Sequence, residues 1–157
     1  MDIRFLCDRN LGTLSKWLRI LGYDTLYDRG NADRNFLRRA GEEGRIALTR
    51  KRDLAGLSHT GRLVVVKADH AGRQIGELLE ALALEPDPAQ RMTRCLKCNA
   101  PLEEAPKETV EGHVPAYVYE KYLLFRRCPS CGGIFWPGTH RQHVEEDLRR
   151  RSLDRRP

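Results

Sequence analysis

The chain has 157 residues, with Lys and Arg at 28 positions against Asp and Glu at 22, for a net charge of +6. That length suits one ordinary domain, or a domain of about 90 residues with a small satellite, and the positive balance favours an anionic partner. There is no run of about eighteen apolar residues and no apolar segment behind a basic amino terminus, so the expectation is a cytoplasmic protein with neither a membrane span nor a signal peptide.

Residues 3–6 form a short apolar run ending in Cys7-Asp8, and residues 10–21 follow with Leu11, Leu14, Leu18 and Leu21 at helical spacing. This is a strand, a turn and a helix that Asn10 can cap and Gly22 can end, with residues 23–26 as the next strand. Trp17 is expected at the core edge of that helix, and Cys7 as a small core hydrophobe. Residues 33–43 read as a second helix and 46–49 as a third strand. Residues 53–57 read as one helical turn, 63–66 as a fourth strand and 72–84 as an apolar-striped helix. Strand and helix alternate four times, which implies a mainly parallel sheet covered by helices.

The acids fall on one edge of such a sheet. Asp8 follows the first strand, Asp33 starts the helix after the second, Asp53 lies past the third and Asp69 past the fourth. In open α/β sheets the carboxyl ends of the strands form the ligand crevice. Clustered carboxylates need a neutralising cation, and magnesium or manganese is the usual one; with it a site can activate water for an in-line displacement at phosphate. The competing explanation is that Asp8, Asp33 and Asp53 simply cap helices. The stretch 29–52 carries eight Lys or Arg against three acids, and Arg149-Arg150-Arg151 and Arg155-Arg156 add further cations.

Pro86-Asp87-Pro88 breaks the helical pattern, and beyond it come Cys95-Leu96-Lys97-Cys98 and Cys128-Pro129-Ser130-Cys131, separated by 29 residues. Two C-x-x-C pairs match a closed four-cysteine structural zinc site, each pair a knuckle and the chain between them a hairpin rich in strand formers over 114–125. Gly132 suits the tight turn beside the sulfurs. His140 and His143 are a substitute ligand pair that four cysteines make unnecessary. Trp136 and His140 could stack on a base or touch phosphate, although tryptophan is more often packed.

Phe5-Leu6-Cys7-Asp8, the segment from Leu11-Gly12-Thr13-Leu14 through Gly22-Tyr23-Asp24, Leu48-Thr49-Arg50, the cysteine pairs and Trp136-Pro137-Gly138-Thr139-His140 together resemble the Mut-seven carboxy-terminal ribonuclease domain family, over residues 3–148. The resemblance implies a PIN-like nuclease fold with an appended zinc ribbon, and a metal-dependent endoribonuclease. Carried over, Asp8 is the first metal-binding acid, Asp33 the acid at the second helix and Asp53 the acid after the Thr-Arg turn. Relatives commonly have Asp directly after Thr-Arg, where this chain has Lys51. Either Lys51 binds phosphate while Asp53 or Asp69 completes the metal site, or it weakens that site.

The expected organisation is a PIN-like α/β domain over residues 1–86, a linker over 87–92, a zinc ribbon over 93–143 and a C-terminal helix and basic tail over 144–157. Asp8, Asp33, Asp53 and Asp69 form the expected catalytic set, with magnesium or manganese held by the first three. Lys16, Arg19, Arg50 and Lys51 are expected to meet phosphate, and Cys95, Cys98, Cys128 and Cys131 to hold structural zinc. RNA, single-stranded or structured, is the expected partner, with a protein partner possible through the ribbon. The rivals are a non-catalytic RNA- or DNA-binding adaptor on the same fold and a module that docks on another protein through the ribbon.

Overall fold

The computed structural model describes residues 2–138. His140, His143 and the expected helix and tail over 144–157 lie outside the described residues.

Four parallel strands make the main sheet: β1 (Arg4–Cys7), β2 (Asp24–Tyr27), β3 (Ile46–Thr49) and β4 (Leu63–Val65), in the order β2-β1-β3-β4. Three helices cover it: α1 (Gly12–Ile20), α2 (Arg34–Glu42) and α3 (Ala71–Ala81). Alternation along the buried strands decides which helix each residue meets. Phe5, Cys7, Ile46 and Leu48 pack with Leu14, Leu18, Ile75 and Leu78 under α1 and α3. Leu6 and Ala47 face the other way, onto Phe36, Leu37 and Ala40 of α2. The result is a helix-sheet-helix sandwich in which Cys7 is a wholly buried core thiol, raised well above its usual pKa chiefly by that burial.

Local signals set the ends of the elements. Gly22 follows α1 with φ 99°, and Tyr23 N–H closes the turn onto Leu18 O at 3.0 Å. Asn10 is not the cap of α1. A 3₁₀ turn, Arg9–Leu11, intervenes, and it is Asp8 that caps this turn by accepting from Asn10 N–H.

A second sheet is antiparallel, in the order β5-β6-β7, from β5 (Glu103–Ala105), β6 (Phe125–Arg127) and β7 (Ile134–Phe135). With the clustered cysteines it is compatible with a zinc ribbon. The chain between the cysteine pairs is not a simple hairpin, because α4 (Lys107–Val110) and α5 (Ala116–Lys121) lie between β5 and β6. Pro106 and Pro115 stand at their N-caps, each with φ −56°, and Val110 and Val118 turn inward to a small core with Phe125. Proline pre-set for a helix start and one buried valine per turn override the strand preference of 114–125.

The ribbon is fastened to the amino-terminal end of the main sheet. Asn99, 6% exposed and at φ 66°, accepts from Thr25 N–H at 2.9 Å and donates to Asp24 Oδ1 at 2.6 Å. Arg19, 7% exposed, donates to Thr25 O at 2.9 Å and to Leu96 O at 2.7 Å. Met92 N–H donates to Ile20 O, and Met92 and Leu96 pack against the core under α1 and α3. Replacing Asn99 by Ala leaves the buried Thr25 N–H without its acceptor and puts a Cβ residue less tolerant of positive φ in its place. It should lower stability by about 2–4 kcal/mol, read as a shifted urea midpoint with unchanged slope.

Candidate functional site

The strand order reverses between β1 and β3, since β2 lies outside one and β4 outside the other. At such a reversal the loops leave in opposite directions and open a crevice at the carboxyl ends of the strands. Asp8 leaves β1 and Thr49 ends β3 at that point, and they are joined there. Thr49 Oγ1 donates to Asp8 Oδ2 at 2.6 Å, Arg50 N–H approaches the same oxygen at 3.4 Å, and Asn10 N–H donates to Oδ1 at 2.9 Å. Asp8 is 1% exposed, so its carboxylate is a buried group held by donors from both sides of the crevice. Thr49 was part of the motif that suggested the family, yet nothing in a β-branched strand residue announced that its hydroxyl would orient the first acid. It also accepts from Lys51 N–H at 3.0 Å, shaping the turn after β3.

The other acids reach the same edge but do not join Asp8. Asp33 caps α2, its Oδ1 accepting from Asn35 and Phe36 N–H at 2.9 and 3.2 Å. Asp53 is exposed in the first turn of the 3₁₀ segment Arg52–Gly56. Asp69 is an exposed carboxylate paired with Arg50 at 2.6 Å. Among the described residues, Cys95, Cys98, Cys128 and Cys131 are the one group of three or more His, Cys, Asp or Glu side chains whose ligand atoms converge. Among the described residues the expected set of Asp8, Asp33 and Asp53 therefore does not come together as a ready-made ligand cluster. Asp8 is held by Thr49 and Asn10, one oxygen of Asp33 caps α2, and Asp53 is exposed to solvent. Lys51 Nζ donates to Ala32 O at 3.1 Å, which carries an ammonium from the end of β3 to the residue preceding Asp33.

The expected phosphate contacts divide. Arg50, Lys51 and the exposed Lys16 are on the surface. Arg19 is corrected: its guanidinium lies inside, lowered from its usual pKa first by burial, and ties α1, β2 and the first cysteine knuckle together. Part of the basic stretch 29–52 is likewise structural. Arg45 pairs with Asp24 at 2.8 Å and Glu43 at 3.2 Å, and Arg39 with Asp28 and Glu43. Burial pushes the Asp24 carboxyl up, but hydrogen bonds from Arg45 and Asn99 and the charges of Arg45 and Arg94 outweigh it and hold the group below its usual value.

The four cysteines could hold a metal ion. Their sulfurs all lie within 4.8 Å of one another, with Cys95 and Cys131 at 3.7 Å. Sulfurs about 2.3 Å from a tetrahedral ion stand about 3.8 Å apart. Cys98 N–H points at Cys95 Sγ and Cys131 N–H at Cys128 Sγ, both at 3.4 Å, so each knuckle turns its backbone donors toward the sulfurs. Gly132, at φ 75°, makes the second turn. Without a metal the thiols share their protons unequally. Cys98 is pushed up to about 12, first by its hydrogen bond to Cys131, while Cys131 is drawn down to about 7, first by Gly133 N–H. Trp136 packs half-buried on the ribbon core rather than standing free.

Among the described residues no helix is long and apolar enough to cross a membrane. No curated protein and no solved structure matches the chain. The model of the Mut7-C RNAse domain matches residues 3–148, almost the whole length, and suggests a nuclease-like role; this protein belongs to the Mut7-C RNAse domain family.

Proposed function

We propose that this chain acts on RNA, holding the phosphodiester backbone along the carboxyl edge of the parallel sheet. Lys51 carries this reading. Its ammonium reaches the carbonyl of Ala32, the residue preceding Asp33, so a cation is held at the edge to which the acids Asp8, Asp33 and Asp53 belong. A lysine so placed binds a phosphate oxygen without any metal. Arg50 and Lys16 extend the contact along the edge, with Asp69 adjusting Arg50 through their ion pair. Asp8 and Thr49 act as the rigid joint of the crevice. The four cysteines hold zinc in a closed site with no position for water, so this metal builds the ribbon and does no chemistry.

Hydrolysis of the bound RNA, as a metal-dependent endoribonuclease, is the second reading, and family membership favours it. For that reading an ion would have to draw the carboxylates together, since among the described residues they do not converge.

The two readings separate in one experiment with labelled single-stranded and hairpin RNAs. Binding of the zinc-loaded protein should fall steeply with salt, with a slope of about −0.7 per phosphate contacted on single strands, and should not need magnesium. Lys51→Ala should weaken binding about tenfold and reduce the slope by about 0.7. Cleavage that requires manganese or magnesium and vanishes in Asp8→Asn would establish the nuclease. No binding at physiological salt would remove both readings and leave the protein-docking module.

A further inference from the structure

We infer that the ribbon carries a docking groove for an acidic amphipathic segment of another protein, separate from the carboxyl edge. A groove of about 420 Å³ opens between β5, β6 and the residues entering the ribbon. Its apolar floor includes Leu123, Leu124 and the half-buried Trp136. Leu123 and Leu124 are 77% and 73% exposed, and among the described residues only Tyr117 is another large hydrophobic side chain left so open. Adjacent solvated leucines on an ordered ribbon gain by being covered.

The rim says what covers them. Among the described residues, Arg91, Lys107 and Arg126 stand around the groove against one carboxylate, Glu104, which lies opposite Arg126 in the strand register. Lys107 and Arg126 are engaged by neutral groups, the Tyr119 ring at 4.7 Å and Met92 O at 2.8 Å, and neither forms a salt bridge among the described residues. An apolar floor inside a basic rim is complementary to apolar side chains flanked by carboxylates, the pattern of an acidic amphipathic helix. RNA is the poorer fit, because the most exposed large hydrophobic residues of the groove are leucines, which have no π-face on which a base can stack, while of its aromatic rings Phe125 and Trp136 pack in the ribbon core and Phe135 is half-buried. Position argues the same way. The ribbon is fastened at the amino-terminal end of the sheet, through Asn99, Arg19 and Met92, whereas Asp8 and Lys51 lie at the carboxyl end.

The test uses the full zinc-loaded chain and a labelled synthetic helical peptide with leucines along one face and glutamates beside them. A second peptide has lysine in place of each glutamate. The glutamate peptide should bind about tenfold or more tightly than the lysine peptide, and the double variant Leu123→Asp with Leu124→Asp should lose that binding by about tenfold or more while keeping its urea midpoint. Lys107→Glu should narrow or reverse the preference between the peptides. Three results would overturn the proposal. Binding indifferent to peptide charge or to both leucines rules out the groove as the site. Single-stranded RNA that displaces the peptide, and whose own affinity falls in the double variant, makes the groove a nucleic-acid surface. No peptide binding, together with a lowered urea midpoint in the double variant, means that the chain covers its own groove.

Discussion

Lys51→Asp is expected to give the carboxyl edge a divalent-cation site. The substitution removes a positive charge next to Ala32 O and places a carboxylate between the end of β3 and the cap of α2. Without an ion, the new acid adds negative charge to an edge that already carries Asp8, Asp33 and Asp53, so the zinc-loaded variant should be less stable than the wild type when no other divalent ion is added, and should lose about tenfold in RNA affinity. With manganese the added carboxylate should draw its neighbours into a ligand set. An ion at a hundred times its Kd stabilises the folded state by about 2.7 kcal/mol, a thermal shift of several degrees that the wild type should not show. Metal-dependent RNA cleavage that appears in the variant and not in the wild type would identify Lys51 as the residue that separates binding from hydrolysis. Equal manganese shifts in both proteins would show that the wild-type acids do assemble, and would restore the nuclease reading.

Stripping the metal from the four cysteines should do more than melt the ribbon. For small zinc modules the ion supplies on the order of 10 kcal/mol of apparent folding free energy, and the ribbon core here rests on Val110, Val118 and Phe125. When the first knuckle opens, Asn99 and Leu96 O leave their partners on β2 and α1, so the damage crosses into the main sheet. Two reporters separate the events. Trp136 packs on the ribbon core and Trp17 on the core under α1 and α3, so Trp17→Phe and Trp136→Phe each leave one tryptophan for fluorescence. The Trp136 signal should be lost on chelation. The Trp17 signal should remain folded, with a lower urea midpoint, and hydrogen exchange at Thr25 N–H should speed up by about a hundredfold, equivalent to about 2.7 kcal/mol. An unchanged Trp17 midpoint after complete metal loss would show that the two parts are energetically independent.

The main sheet was legible because β1, β3 and β4 are short apolar runs closed by polar turns, and each helix repeats its apolar residues at the spacing that one buried face requires. The cysteine pairs were legible because thiolate spacing is itself the chemistry. What escaped the sequence depends on partners distant in the chain. Arg19 looks like any helix-surface cation until Leu96 O, 77 residues on, is brought beside it. The acids were rightly placed on one edge, but sharing an edge is weaker than sharing a ligand, and the capping geometry that holds Asp33 acts within a single turn. Strand-forming valines and tyrosines over 114–125 misled because Pro106 and Pro115 start helical turns that propensity does not register.

Gly22 shows how closely the two parts were fitted to each other. A Cβ there would collide with the backbone of Gln90, and the same carbonyl that follows the helix turn, Gly22 O, receives Arg94 Nε at 3.3 Å. The glycine that ends α1 is therefore also the bed on which the chain entering the ribbon lies. A ribbon borrowed from another protein would bring its own metal but not this seat, nor the asparagine that completes β2. The two sheets are consequently a single heritable piece: substitutions on either side of the seam are constrained together, and recombination between them would be costly even where both halves fold.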